Sequence, residues 1–143
     1  MQTGRTWNKQ SYQRYLESDE WKARRAKRGK LAVWIGRRFV CEWCMTPQTL
    51  REYRPLKMYE VQRVNINIHH ISYERIGNER FGDLMVLCRD CHQTLHEFIE
   101  RLVAKGMKRK TVMEKLGPYC VRRIIATHQM YRQRSQHTQE PPE

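Results

Sequence analysis

Two Cys-x-x-Cys pairs, Cys41/Cys44 and Cys88/Cys91, constrain this chain more than any other feature of its sequence. Four thiolates at that spacing complete a tetrahedral zinc site with no open position. Metal binding at such a site is coupled to folding, so it can supply much of a small module's stability. The 43 residues between the pairs exceed the usual ribbon loop, so that segment must hold structure of its own. The competing reading is a set of unrelated buried cysteines or a redox pair; two pairs in a chain with one further cysteine disfavour it. That fifth cysteine, Cys120, falls on an apolar helical stripe and reads as core packing. Cysteines paired in this way imply metal ligation in a reducing, cytoplasmic compartment rather than disulfides.

Between and beyond the second pair the chain carries more ligand-grade side chains than one tetrahedral site can use. His69 and His70 stand together at the end of an alternating run in which Val64, Ile66 and Ile68 take one side of a strand and Asn65 and Asn67 the other. His92 follows Cys91 directly, and His96 lies four residues further on, which places both on one helix face. With the zinc satisfied by sulfur, His69, His92 and His96 form a candidate open metal site and His70 is left as a candidate base. Two plainer readings stay open. The histidines make core hydrogen bonds, or one of them replaces a cysteine on the zinc. Adjacent strand residues face opposite sides, so His69 and His70 reach one site only if the strand bends or ends there.

The formal net charge of +13 calls for a polyanionic partner, and nucleic acid is the default. A membrane surface is the weaker reading, because the basic stretches lack a strongly apolar opposite face. No apolar run approaches the roughly 18 residues of a membrane span and no charged-then-apolar leader opens the chain, so neither a transmembrane helix nor a secretory signal is expected. Hydrophobic residues make up 39% of the chain, which suits a modest core with arms. Residues 1–35 read as a basic helical arm, with Ser18 as an N-cap, Asp19 and Glu20 in the first turn, and a helix running from Trp21 to Ile35. Arg24, Arg25, Lys27 and Arg28 on that helix either contact phosphate or form a solvated face. Residues 36–104 make the central module, in which 49–58 is a polar connection, 72–83 a loop and Leu84–Leu87 a second strand. Asp90 is a candidate N-cap for a helix whose apolar stripe is Leu95, Phe98, Ile99 and Leu102. Residues 105–143 form a basic helical extension: a short helix over Thr111–Leu116 stopped by Gly117-Pro118, a last helix over Tyr119–Arg134 with Val121, Ile124, Ile125 and His128 on one side, and a polar tail from Gln136.

The central motif resembles the HNH endonuclease family, whose ββα-metal (His-Me finger) site is a hairpin followed by a helix. The resemblance is carried by His69-His70, by the run Asp83 to Cys88, and by Cys91-His92 with His96. The CxxC pairs are similar to those of the zinc-stapled phage and bacterial branch, and the stretch Tyr15–Trp21 to leaders found there; the likeness covers about residues 11–100. It implies an α+β fold and a DNA endonuclease in which His70 is the general base. It also implies that His69, His92 and His96 hold the catalytic divalent ion, Mg²⁺ or another such as Mn²⁺, Ni²⁺ or Zn²⁺, in a set most like the colicin-type site. Cys41, Cys44, Cys88 and Cys91 would hold structural zinc. The family's central asparagine is Asp83 here, with Asn78 as a rival; that residue pins the loop, and an aspartate can accept hydrogen bonds but cannot donate as an amide does. Arg75, Arg80 and Arg89 are further candidates for contact with double-stranded DNA. Two alternatives are carried forward: a non-catalytic zinc-stapled nucleic-acid binder, and an accessory subunit of a larger phage or mobile-element assembly. Target and oligomeric state are not encoded in any of these residues.

Overall fold

The computed structural model of the chain describes residues 7–48 and 66–137. Val64, Asn65, the connection 49–58 and most of the polar tail lie outside the described residues. Among the described residues the fold is α+β, with four helices and two small antiparallel hairpins. Helix α1 spans Lys9–Glu17 and α2 spans Asp19–Lys30. Ser18 ends the first and starts the second: its N–H bonds Tyr15 O at 3.0 Å while its hydroxyl accepts from Trp21 N at 3.1 Å. Asp19 and Glu20 follow in the first turn, against the positive end of the dipole.

Helix α2 stops at Lys30 and does not reach Ile35. Val33, Trp34 and Ile35 are β-branched or aromatic, and Gly36 takes φ +58°, which an L side chain resists. The segment therefore turns back as a hairpin of β1 (Trp34–Ile35) and β2 (Arg38–Phe39). The Trp34 indole donates to Gly29 O at 2.9 Å and holds the hairpin against the helix end.

The second hairpin pairs β3 (Asn67–His70) with β4 (Leu84–Leu87), with His69 opposite Met85 and His70 opposite Leu84. Every residue of β4 is buried, and its alternation serves different parts of the core. Met85 and Leu87 pack in the main core with Ile71, Leu95, Ile99, Val112 and Ile124. Leu84 packs with Tyr15, Trp21 and Ile76. Val86 packs with Phe39 and Ile66. Full burial of side chains of this size contributes roughly 1.5–3 kcal/mol each, so β4 is the strand the molecule is assembled around.

Helix α3 (Arg89–Ala104) begins one residue before the candidate cap Asp90. Cys88 leaves β4 in extended geometry and is itself the N-cap, its sulfur accepting from Cys91 N at 3.4 Å. Leu95 and Ile99 are buried, but Phe98 is exposed. The helix ends in a Schellman motif: Gly106, at φ +100°, donates to Val103 O and Met107 to Leu102 O. Helix α4 then runs unbroken from Arg109 to His137, straight through Gly117-Pro118. The expected break fails because Val112 and Met113 before the proline, and Cys120 and Ile124 after it, enter the same core; tertiary burial outweighs the lost backbone bond. The inward stripe is Cys120, Ile124, Thr127 and Tyr131, while Val121 and Ile125 face out. No helix among the described residues is long and apolar enough to cross a membrane.

Candidate functional site

The four cysteines converge. Cys41 and Cys44 sit in the turn after β2, Cys88 at the end of β4 and Cys91 in the first turn of α3, with all four sulfurs within 4.8 Å of one another. Met45 adopts φ +58° in that turn, and Met45 N bonds Cys41 O at 2.9 Å. Trp43 N donates to the Cys41 sulfur at 3.4 Å and Gln48 Nε2 to the Cys44 sulfur at 3.8 Å. A tetrahedral ion at the usual zinc–sulfur length needs sulfurs about 3.8 Å apart, so the donor set fits a zinc ion. Burial pushes the Cys41 thiol up to about 12 and the Cys91 thiol up as well. A dication beside them reverses that balance and ionises the set.

Glu42, inside this knuckle, is fully buried. Its carboxylate accepts from Arg28 at 2.6 Å, Val86 N at 2.7 Å and His128 Nε2 at 2.5 Å. Arg28 also donates to Leu84 O at 3.1 Å and lies over the Phe81 ring. One carboxylate thus ties the knuckle to α2, β4 and α4. Arg28 is accordingly not the surface cation expected from the charge run.

The second cluster joins β3 to α3. His69, His92 and His96 bring one ring nitrogen each within 4.8 Å of the others, and the His92 and His96 Nε2 atoms are 3.0 Å apart. A tetrahedral ion held by imidazoles needs nitrogens about 3.3 Å apart, so these three also fit a divalent ion and leave a coordination position open. Burial, then His96 and His92 beside it, holds His69 down to about 3. Burial and His96 hold His92 down to about 4, and burial also lowers His96. All three are neutral at pH 7, the form that ligates a metal.

His70 is not one of this group. The β3–β4 pairing runs unbroken through both histidines, so His70 faces the side of the hairpin that carries Leu84, against Tyr12 of α1 and Trp21 of α2. It is 4% exposed. Its Nδ1 meets the Tyr12 hydroxyl at 3.1 Å, its Nε2 meets Glu79 Oε1 at 3.0 Å, and its ring stacks on Trp21 at 4.6 Å. Burial lowers its basicity although Glu79 pulls the other way. Glu79 also accepts both short bonds of the Tyr15 hydroxyl, at 2.8 and 2.9 Å, and one from Gly77 N at 3.2 Å. Burial alone would raise the Glu79 carboxyl, but the bonds from His70, Gly77 and Tyr15 outweigh it and hold the group below the usual range. Tyr12, Tyr15, Trp21 and Glu79 carry no local signal that could have announced this role; Tyr12 is 58 residues from His70.

Asp83 closes the loop that follows His70. Its carboxylate takes the Arg75 guanidinium through two bonds and Arg80 N at 2.8 Å, while its carbonyl accepts from Ile71 N at 2.8 Å. An acceptor-only side chain suffices because every partner is a donor. Asn78 is exposed at the loop's turn, where its N–H bonds Arg75 O. Of the remaining candidate cations, Arg75 is held by Asp83, and Arg24 pairs with Glu20 and Glu79. Arg25, Lys27, Arg80 and Arg89 are exposed.

No family model, curated protein or solved structure matches the chain.

Proposed function

We propose that the chain is a metal-dependent endonuclease of HNH type that hydrolyses DNA phosphodiesters, with a structural zinc in the four-cysteine knuckle. The observation that carries this reading is the His69/His92/His96 cluster: three neutral imidazoles from a hairpin and the helix after it, beside a closed thiolate set. A structural staple has no use for a second, open donor set; a hydrolase does. The net charge of +13 supplies attraction to the phosphate backbone.

In this reading His69, His92 and His96 hold Mg²⁺ or a softer ion such as Mn²⁺, Ni²⁺ or Zn²⁺. The ion supplies Lewis-acid stabilisation of the charge that develops on the phosphate and on the leaving 3′ oxygen. The chain's own residues do the rest. His70 Nδ1 takes a proton from water once the Tyr12 hydroxyl gives way. The resulting hydroxide attacks phosphorus, the bond to the 3′ oxygen breaks, that oxygen takes a proton from solvent, and a 5′ phosphate and a 3′ hydroxyl are left. Asp83 keeps the loop after His70 closed, and Arg25, whose guanidinium donates to Ile66 O at 3.0 Å and adds to the positive field at His92, would contact the phosphodiester.

A second reading is favoured by one specific observation. His70 is buried with both ring nitrogens engaged, as suits a zinc-stapled nucleic-acid binder that makes no cut, or a subunit that cuts only within a larger assembly. Nicking of supercoiled plasmid with Mg²⁺, Mn²⁺, Ni²⁺ or chelator separates these. The nuclease reading expects one tight zinc plus one exchangeable divalent ion per chain, with His92→Ala losing the second ion and the activity but keeping the zinc. One zinc only, and no cutting with any ion, supports the binder; cutting only with a partner protein supports the subunit.

A further inference from the structure

The N-terminal helices, which composition presents only as a basic arm, build the surroundings of His70. Glu79 lies at the centre of those surroundings with its side chain 1% exposed. Two donors besides His70 bond it, the Tyr15 hydroxyl at both oxygens and Gly77 N, and the Arg24 guanidinium pairs with it at 3.5 Å. A carboxylate so surrounded accepts hydrogen bonds and donates none. The His70 nitrogen facing it, Nε2, must therefore carry the hydrogen. The lone pair is left on Nδ1, where it accepts from the Tyr12 hydroxyl. The Trp21 ring, 26° from parallel, keeps the imidazole from turning over.

We infer that Glu79 is the positioning residue of His70: it fixes the Nε2–H tautomer and so decides that Nδ1 is the nitrogen able to receive a proton. The tautomer stands on hydrogen-bond geometry alone; its catalytic consequence rests on the nuclease reading above. An imidazole free to adopt either tautomer would present a lone pair at Nδ1 only part of the time, and in the Ser-His-Asp triad loss of the partner that fixes the base's tautomer costs as much as about 10⁴-fold in kcat.

The test uses the full zinc-loaded chain with Glu79→Gln, Glu79→Asp and His70→Ala. Long-range proton–nitrogen spectra of the imidazoles read the tautomer directly. His70 is expected as Nε2–H in the unaltered protein and as a mixture in Glu79→Gln, whose amide can turn either group to the ring. An Nδ1–H tautomer in the unaltered protein, or an unchanged Nε2–H tautomer in Glu79→Gln, overturns the proposal. In plasmid nicking with Mn²⁺, Glu79→Gln is expected to lower kcat by about tenfold or more while KM stays within about twofold, and Glu79→Asp to recover part of the loss. Unchanged kcat in Glu79→Gln, where His70→Ala is inactive, overturns the catalytic role. Full nicking by His70→Ala removes the base assignment, and with it the nuclease reading, while the spectra still decide the role of Glu79.

Discussion

Glu42→Ala is the substitution whose effect the structure fixes most tightly. The side chain is fully buried and serves three donors from three elements. Its loss leaves the Arg28 guanidinium, itself 2% exposed, without a counter-charge. Breaking a buried pair from one side typically costs about 3–5 kcal/mol. Val86 N–H loses its acceptor in the middle of β4, worth a further 1–3 kcal/mol or so when the group stays dry. The two effects share one cavity and do not add fully, so the expected loss is about 4–6 kcal/mol. Against a typical domain stability of about 5–15 kcal/mol, that removes roughly a quarter of the stability or more. Urea unfolding of the zinc-loaded protein, followed by far-UV circular dichroism, measures it. The double variant Glu42→Gln with Arg28→Met removes the orphaned charge and keeps the Val86 acceptor, so it should recover more than half of the loss. A Glu42→Ala loss below about 1 kcal/mol would show that water reaches Arg28 and that the pair does not organise the core.

Cys88→Ser should release the structural zinc and unfold the module, since the same sulfur caps α3; metal analysis and circular dichroism on the purified variant check both losses. Asp83 makes an acid-sensitive contribution. Its burial raises the carboxyl, but the Arg75 and Arg80 bonds outweigh this and hold it below the ordinary carboxylate range. The unfolded chain therefore takes up that proton first as pH falls, so the stabilisation is intact above about pH 4 and drains away below it. Asp83→Asn should flatten the acid limb of the stability–pH curve and lower the plateau. Tyr12→Phe removes the hydroxyl on His70 Nδ1 and keeps the ring against Tyr73. If a water takes the vacated place, nicking should rise by about 2–10-fold, the worth of one ordinary hydrogen bond. Loss of nicking would instead place the hydroxyl in the proton's path.

What could be read from the sequence is what chemistry ties to fixed spacing. Thiolates two residues apart and imidazoles four apart on a helix have few alternative uses, so the two donor sets were legible before any fold. Ser18 was legible as a cap because a serine followed by two acids does the same job in any context. The surroundings of His70 were not legible, because Tyr12, Trp21 and Glu79 owe their role to helix docking and not to local pattern. Nor was the inward turn of Arg28: on a helix bearing Arg24, Arg25, Lys27 and Lys30, nothing local marks which cation faces Glu42. The continuity of α4 through Pro118 belongs to the same class, since local propensity argues for a break and only burial on both sides of the proline opposes it.

The alternation of one strand is what divides the two functional readings. His69 and His70 are neighbours in sequence, yet pairing with Met85 and Leu84 turns them to opposite faces of the hairpin. One face looks to α3 and gathers three imidazoles; the other looks to α1 and α2 and meets tyrosine, tryptophan and glutamate. A pure binder needs neither face polar, and gathering His69, His92 and His96 on one side and His70, Tyr12 and Glu79 on the other is an expensive way to fill a core. Both polar faces make sense together if a phosphate at the strand's end is contacted from the α3 side and its attacking water is served from the α1 side. The two roles would then sit one residue apart on β3, on opposite faces of the hairpin.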